Sequence, residues 1–566
     1  MILRRGGVCM RKPLFLFLAF VLLLTACTQL PPAETTQPSS IVPLTTSATQ
    51  TPTAPPTETA TEPALFVGDV TAGGYRVHTD TSAYQPYVPP KAVYTRLADG
   101  PLESFIPSPD YGQVYPYIAA HVFGSEGNDG WRAGSCCGIV DRNGRILTDG
   151  IYCGVRTLSD WDYEHNSVRY LPFWVVQKVL SVTRHEEADA DLSWLEDDTR
   201  MGVISLDGSF ALPCEYKSIQ AAGDGFVAYR SWDKPDFEVR DGSGTLLFTG
   251  ADIFDGSKAE GWSIRWGDSL YLAGYYLNED ESVYWYLRPD GTRTLGPYSS
   301  AEPFQEGLAC VSADGESYGY IDKEGNWVIE PVYETAASFC NGRVIQKTKE
   351  SQAVVLDKSG NRLLTCEDDY WLYDAPCGFR SQRNWDDTVT YYDRDGSVLC
   401  SGGYNLCCLD AETFYEELDD CTRVFRLDGR ELRMPLVDYM STGIFLVDGQ
   451  PIPGYVGRSC QDEVEYFLPQ DLSAAAKQIS FDTESPNSYF TCFDTQDEIT
   501  NQTWHLCWNG RAWLGCTDEG DTLTVPLRVP SPRVFGDRIN AELDHASVYL
   551  DLDGNIVFYY PLNAED

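Results

Sequence analysis

Short β-prone runs, interrupted by turns that contain Asp and Gly, dominate the chain from about residue 65 to its end. In each copy an apolar run leads into an Asp-x-x-Gly or Asp-Gly step and a second apolar run follows, as in Gly319–Ile329 (GYIDKEGNWVI). Asp accepts hydrogen bonds from the amides of its own turn, and Gly adopts the positive φ that closes a tight hairpin. Each copy is therefore a predicted β-hairpin. The clearest copies begin at Gly138, Gly202, Gly319, Val354, Tyr391, Val424 and Val548.

The turn glycines recur with a nearly constant period. Gly325, Gly360, Gly396 and Gly429 are separated by 35, 36 and 33 residues. A single hairpin is marginally stable in water, so the copies must pack on one another to bury a continuous core. The pattern predicts an all-β fold of repeated hairpins of about 35 residues. With two hairpins in each four-stranded blade, residues 65–566 would form a β-propeller of about seven blades, and an open β-repeat array is the alternative.

A second phrase recurs between the hairpins, as Glu330-Pro-Val-Tyr333 and as Pro213-Cys-Glu-Tyr216. With this phrase, the stretch 319–344 resembles the bacterial WG-containing repeat, and 202–229 resembles a second copy. The Trp-Gly pair of that family is replaced by Tyr318-Gly319, Met201-Gly202 and Cys137-Gly138. The resemblance is clearest over 138–432 and is not legible from 433 to about 540. It implies β-repeats in a propeller or a solenoid-like array, typical of envelope or interaction proteins with no assigned chemistry.

The N-terminal residues predict export and lipidation. Basic Arg4, Arg5, Arg11 and Lys12 precede an apolar run that is too short for a comfortable transmembrane helix, which fits a cleaved signal peptide over residues 1–26. The segment Leu24–Cys27 resembles the lipobox of bacterial lipoproteins, in which the thiol carries a diacylglyceryl group. Cys27 is therefore the predicted lipid attachment site. Either Met1 or Met10 can serve as the start.

The segment after Cys27 has the composition of a tether. Residues 28–64 are nearly all Thr, Pro, Ala, Ser, Gln and Glu, and such a segment cannot offset its ordering entropy by burial. The predicted layout is a signal peptide (1–26), a lipidated Cys with its tether (27–64) and a β-repeat domain (65–566). The expected location is the extracytoplasmic face of a cell membrane.

The charge balance narrows the range of partners. The 42 basic and 84 acidic residues give a formal net charge of −42, which repels phosphate backbones and anionic headgroups. We therefore expect no nucleic-acid partner, and contact with the membrane only through the lipid.

The motifs of common catalytic and cofactor sites are not found in the sequence. It contains no H-E-x-x-H, no P-loop and no dinucleotide fingerprint, and Gly134–Gly138 (GSCCG) has the pattern of a turn before a repeat hairpin. The acidic steps at Asp393 and Asp551 resemble calcium loops but lack the acidic twelfth position, so we interpret them as hairpin turns. We predict no cofactor, no metal site and no catalytic residue.

Three further patterns leave the function open. After Cys9 and Cys27 are set aside, sixteen cysteines remain, which can be buried thiols or disulfides, and their spacing does not suggest zinc. The aromatic cluster from Trp262 to Tyr286 fits packing between blades better than a ligand surface. The run Asp471–Ile479 has the composition of a helix.

The sequence thus predicts a membrane-anchored, non-catalytic β-repeat module that binds a protein or glycan partner. The alternative is an extracytoplasmic glycoside hydrolase that uses a carboxylate pair, or a sugar-binding propeller. The 84 acids make such a pair impossible to identify from sequence.

Overall fold

A computed structural model describes most of the chain from residue 92 onward and one earlier hairpin. Cys27, the predicted signal peptide and the tether lie outside the described residues. No helix in the described part is long and apolar enough to cross a membrane. The described residues are 68–71, 74–77, 92–123, 133–162, 167–186, 193–232, 234–254, 261–277, 281–366, 370–383, 388–447, 450–459, 464–473, 475–480, 493–508, 512–527, 529, 532–543 and 546–562.

The fold is all-β, with eleven small sheets that follow one another along the chain. We number them blades 1 to 11. Outside the blades, the described elements are the hairpin Gly68–Thr71 and Gly74–Val77, the 3₁₀ turn Pro109–Tyr111 and the short α-helix Gly250–Ile253. Blades 1 to 4 contain, in turn, Thr95–Arg96, Val114–Phe123, Ala133–Asp141 and Arg145–Ile146; Gly154–Asp162, Ser167–Glu186, Ser193–Ser205 and Ala211–Tyr216; Ser218–Ala222, Gly225–Tyr229, Phe237–Arg240 and Leu246–Thr249; Gly261–Gly267, Leu270–Tyr276, Ser282–Leu287 and Arg293–Tyr298.

The remaining seven blades repeat this plan, although blade 6 has three strands. Blades 5 to 8 contain Ser300–Ala301, Ala309–Ser312, Tyr318–Ile321 and Trp327–Tyr333; Arg343–Lys347, Ala353–Asp357 and Arg362–Cys366; Tyr370–Ala375, Gly378–Arg383, Val389–Tyr392 and Val398–Gly402; Leu406–Cys408, Thr413–Glu417, Thr422–Arg426 and Glu431–Met434. Blades 9 to 11 contain Tyr439–Val447, Gln450–Ser459, Val464–Pro469 and Lys477–Ser480; Phe493–Gln496, Thr503–Trp508, Trp513–Cys516 and Thr522–Val525; Arg533–Phe535, Arg538–Leu543, Ala546–Leu550 and Ile556–Pro561.

The propeller class is confirmed, but the expected count of about seven blades is wrong. Each Asp/Gly turn joins the last two strands of a blade, so one period of about 35 residues builds a whole blade rather than half of one. The turn glycines have the expected positive φ, for example 86° at Gly325 and 80° at Gly360. Blade 9 lacks such a glycine between its last two strands, which explains part of the loss of the pattern after residue 433.

The glycine that begins three of the clear hairpins, at positions 138, 202 and 319, is required by a close approach of neighbouring atoms. A Cβ atom at Gly319 would lie 2.6 Å from the carbonyl oxygen of Ile329 and 2.7 Å from the nitrogen of Pro331, and one at Gly202 would lie 2.6 Å from the carbonyl oxygen of Leu212. In both blades the fourth strand bulges at this point, where the register shifts. The hairpin glycine and the Pro-containing phrase that follows the hairpin therefore recur together because they form the two sides of one contact.

Each blade buries its faces against its neighbours. Shared apolar clusters join blades 2 and 3, 3 and 4, 4 and 5, 5 and 6, 7 and 8, 8 and 9, and 10 and 11. Blades 6 and 7 are joined by Arg343, whose guanidinium binds the Arg394 carbonyl at 3.0 Å and the Asp395 carboxylate at 2.8 Å. Strand contacts connect blades 9 and 10.

The last blade packs on the first, so the array closes into a ring. One cluster unites blades 1, 2 and 11 around Trp174, whose side chain is fully buried. The segment 93–97, which we call the clasp, also links the two ends. Val93 exchanges two 3.0 Å backbone hydrogen bonds with Tyr559 of blade 11, and Thr95 and Leu97 donate to blade 1 at 3.1 and 2.9 Å. The open-array alternative is therefore excluded.

The helix expected at Asp471–Ile479 does not form. Lys477–Ser480 is instead the fourth strand of blade 9 and pairs with residues 464–467. The pairing edge of the sheet overrides the helix propensity of the alanine-rich run.

Candidate functional site

The meander gives the ring two chemically different ends. In a four-stranded blade, the connections between blades and the hairpin of strands two and three lie at one end, which we call the connection end. The hairpin of strands one and two and the Asp/Gly hairpin of the last two strands lie at the other, which we call the turn end.

Acidic turns line the turn end, and their carboxylates cap the hairpins. Asp322 accepts hydrogen bonds from the amides of residues 324 and 326 at 3.1 and 2.8 Å, and Asp357 does the same for residues 359 and 361 at 2.9 Å. Side-chain hydrogen bonds from Asn326 and Asn361 hold the pKa of Asp322 and of Asp357 below its usual range. Arg430 lowers the pKa of Asp428 to about 2. These carboxylates are thus ionised caps that serve the fold.

Acid should weaken the fold through these caps. Because their folded-state pKa lies below the unfolded value of about 3.9, their contribution is complete above pH 4 and is lost as pH falls toward 2. We expect the urea midpoint to fall between pH 5 and pH 3, and to fall less steeply in the triple variant D322N/D357N/D428N. The charge-matched control E215Q/E330Q/E350Q changes three exposed glutamates and should keep the wild-type slope. Equal slopes in the two variants would contradict the capping role.

Large aromatic side chains are exposed at the connection end. Tyr404 is 66% exposed between blades 7 and 8, and Trp371 is 57% exposed near the start of blade 7. Trp232, Tyr276 and Tyr439 lie at the same end, in blades 3, 4 and 9. Exposed aromatic rings of this kind are typical of surfaces that bind a partner.

Neighbouring side chains hold several of these rings in place. Trp232 stacks on Tyr229 with ring centroids 5.1 Å apart. The guanidinium carbon of Arg458 lies 5.9 Å from the centre of the Tyr439 ring. Rings fixed in this way lose little conformational entropy when they bind.

An open depression of about 340 Å³ lies at the same end of blade 3. Phe237 contributes an apolar wall, and Arg230, Lys234 and Glu238 contribute charged groups. Arg230 is already engaged, because it binds Glu238 at 2.6 Å and lies over the Tyr216 ring at 4.4 Å. The depression is thus shallow, has a mixed apolar and charged lining, and is adjacent to the connection that carries Trp232.

The aromatic cluster singled out in the sequence is mainly packing. Trp262, Tyr271, Tyr284 and Tyr286 are buried between blades 3, 4 and 5, and only Tyr276 of this cluster is among the exposed large side chains. Sequence reasoning missed Trp232, Trp371, Tyr404 and Tyr439. The available signal was position, because Trp232 and Tyr404 lie between β-prone runs in polar, turn-forming sequence.

The buried carboxylates of the described residues already have hydrogen-bond or ion-pair partners within the protein. Asp141 and Asp497 accept amides of their own turns. Glu498 of blade 10 binds Arg533 of blade 11 at 3.0 Å and also accepts a hydrogen bond from Thr157 of blade 2. These groups link parts of the fold and are not placed as a pair of free acids.

His505 of blade 10 is the most heavily engaged histidine of the described part. Its Nδ1 is 2.7 Å from Asp494 and its Nε2 is 3.3 Å from Asp518. Burial alone would lower the pKa of His505, but the hydrogen bonds and charges of the two carboxylates raise it above its ordinary value. An imidazole that donates to two carboxylates has no free nitrogen to act as a base. Burial also raises the pKa of the adjacent Cys516 to about 11, so that this thiol stays protonated.

The structure places the two acidic turns that resemble calcium loops, but not the predicted site residue. Cys27 lies outside the described residues. Asp393 and Asp551 accept amides of their own turns at 2.8 to 2.9 Å. In the part of the chain that the structure describes, no three His, Cys, Asp or Glu side chains are grouped to hold a metal ion. Thirteen cysteines of that part are present as thiols, of which Cys310, Cys366, Cys377 and Cys516 are buried.

Comparison with protein families identifies one segment. Residues 318–345 match the model described as the WG containing repeat. The chain contains a WG repeat. The matched segment spans the last two strands of blade 5 and the start of blade 6, so the WG repeat is out of phase with the blades and links one to the next.

Searches against known proteins add only distant neighbours. No curated protein sequence matches the chain. Similar solved structures include the designed Ika8 protein (14% identity, 57% of this chain and 96% of that chain, TM-score 0.25). They also include BamB from Moraxella catarrhalis (10% identity, 56% and 98%, TM-score 0.23) and the Pan2 WD40 domain of Neurospora crassa (10% identity, 46% and 86%, TM-score 0.19).

Proposed function

We propose that the protein is a membrane-anchored, extracytoplasmic interaction module, and that its non-catalytic propeller binds a protein or glycan partner at the connection end. The observation that carries this proposal is the exposure of Trp371, Tyr404 and further aromatic rings at that end. The opposite end is made of acidic turns whose carboxylates are used by the fold. A partner therefore finds the two most exposed aromatic rings of the described residues at the connection end.

The absence of catalysis is part of the proposal. Support comes from the engagement of the buried Asp141, Asp497 and Glu498 and from the two carboxylates on His505. A glycoside hydrolase needs two carboxyl groups that face each other across a cleft and keep free oxygens.

Anchoring through Cys27 is tested by C27A. The sequence at Leu24–Cys27 supports lipidation, and the acidic body has no attraction of its own for an anionic bilayer. We expect wild-type protein in the membrane fraction and in the detergent phase, and C27A in the aqueous phase. The control C153S removes an exposed thiol of blade 2 and should partition like wild type. Retention of C27A in the membrane fraction would contradict lipid anchoring.

Binding through the connection end is tested by the double variant W371A/Y404A. Large exposed rings contribute most of the energy at such surfaces, so the variant should weaken binding roughly tenfold or more. The probes are an array of envelope glycans and proximity labelling of surface proteins on intact cells.

The matched control is W161A/W327A, which removes two other exposed tryptophans, 40% and 39%, away from the connection end. It should retain the wild-type signal. If both double variants lose the binding signal equally, or if neither loses it, the connection end is not the binding surface.

A further inference from the structure

Two cysteines of neighbouring blades come together at the turn end. Cys377 lies in the tight turn between the first two strands of blade 7, and Cys408 is the last residue of the first strand of blade 8. Both belong to the apolar core that these blades share, beside Tyr391 and Phe414. Cys377 is buried, with 7% of its surface exposed.

The two thiols are in direct contact. Each side chain is a hydrogen-bonding partner of the other. The Cys408 sulfur also lies 2.9 Å from the carbonyl oxygen of Asp410, which holds the side chain in place. Two cysteines that meet on separate, well-packed strands need only small movements to form a bond.

We propose that Cys377 and Cys408 form a disulfide that covalently joins blade 7 to blade 8. The bond would close a loop of 31 residues, counted from Cys377 to Cys408. Such a link restricts the unfolded chain and therefore stabilises the folded ring. The inference concerns the fold and does not depend on the partner proposed above.

The electrostatics favour one order of events. The hydrogen bond between the two side chains and the charge of Arg394 lower the pKa of Cys377, whereas the same hydrogen bond raises the pKa of Cys408. The Cys377 thiolate is thus the nucleophile. It attacks a low-molecular-weight disulfide such as oxidised glutathione, forms a mixed disulfide and releases one glutathione thiolate.

The second step completes the bond. Cys408 loses its proton and attacks the Cys377 sulfur, which releases the second glutathione. The two protein sulfurs together lose two electrons and two protons, and the glutathione disulfide gains them as two thiols.

The test uses the full chain, purified reduced and then incubated in an oxidising glutathione buffer at pH 8. After acid quench and alkylation, digestion before Asp and after Arg isolates residues 374–380, in which Cys377 is the only cysteine. We expect this peptide to be linked to the peptide that carries Cys408, and tandem mass spectrometry to place the bond at Cys408. The oxidised protein should melt roughly 4 °C above the reduced protein.

Three serine variants separate this pairing from others. C377S and C408S should abolish the linked peptide and the oxidation-dependent rise in Tm. C400S, which removes a thiol packed against the same core, should keep both. Alkylation of Cys377 and Cys408 in the oxidised sample, or a link from Cys377 to Cys400 or Cys407, would overturn the proposal.

Discussion

Replacing Trp174 with alanine is expected to lower the free energy of unfolding by about 3–5 kcal/mol. The side chain is fully buried where blades 1, 2 and 11 meet, and its ring lies edge-on to Phe535 at 5.4 Å. Its indole N–H also donates to the Val114 carbonyl at 2.8 Å, which would lose its partner. Truncation thus leaves a cavity and an unpaired acceptor at the closure of the ring.

Urea denaturation checks this expectation, and W371A is the matched control. Trp371 is largely exposed, so its loss should change stability by about 0.5 kcal/mol or less. W174F should fall between wild type and W174A, because it keeps most of the ring volume but removes the N–H donor. A W174A protein as stable as W371A would mean that the junction of blades 1, 2 and 11 does not support the ring.

Gly319→Ala is expected to destabilise the protein by about 3 kcal/mol, at the upper end of the range for overpacking. The new methyl group would meet backbone atoms of the bulged fourth strand of blade 5, and a backbone cannot rotate away as a side chain can. The strand would have to shift and disturb its pairing with Tyr318–Ile321.

Gly100→Ala is the control for this prediction. A Cβ at Gly100 meets no atom within 4 Å, so the variant should be neutral or slightly stabilising. Thermal and urea unfolding of both variants give the comparison. If G319A and G100A unfold at the same temperature and urea concentration, the glycine of the WG repeat is not required by the close approach of the two strands.

Local chemistry allowed the hairpins and their turns to be predicted from sequence. Asp322 and Gly325 lie within the same turn and are only three residues apart, so a short stretch of sequence is enough to determine the turn. The blade count was wrong because the period does not say how many strands it contains. That number depends on the first two strands of each blade, and some of these, such as the two-residue Ser300–Ala301, are too short to be recognised in the sequence.

The other features of the fold could not be predicted from the sequence, because they depend on contacts between residues that are far apart in the chain. The clasp pairs Val93 with Tyr559, which are more than 400 residues apart in the sequence, and no local sequence pattern predicts this pairing. The proposed binding surface was also not predictable, because the exposure of Tyr404 and the burial of Tyr286 depend on how neighbouring blades pack.

The clasp has a mechanical consequence. The segment 93–97 that closes the ring is also where the blades continue into the N-terminal part of the chain, so tension that reaches the blades through residue 93 acts on the closure of the ring. Its residues Thr95 and Arg96 run parallel to Arg145 and Ile146, so a pull along the strand loads these hydrogen bonds together, in shear. Under the proposed lipidation of Cys27, a force between the membrane and a bound partner would act on the junction between the two ends of the ring.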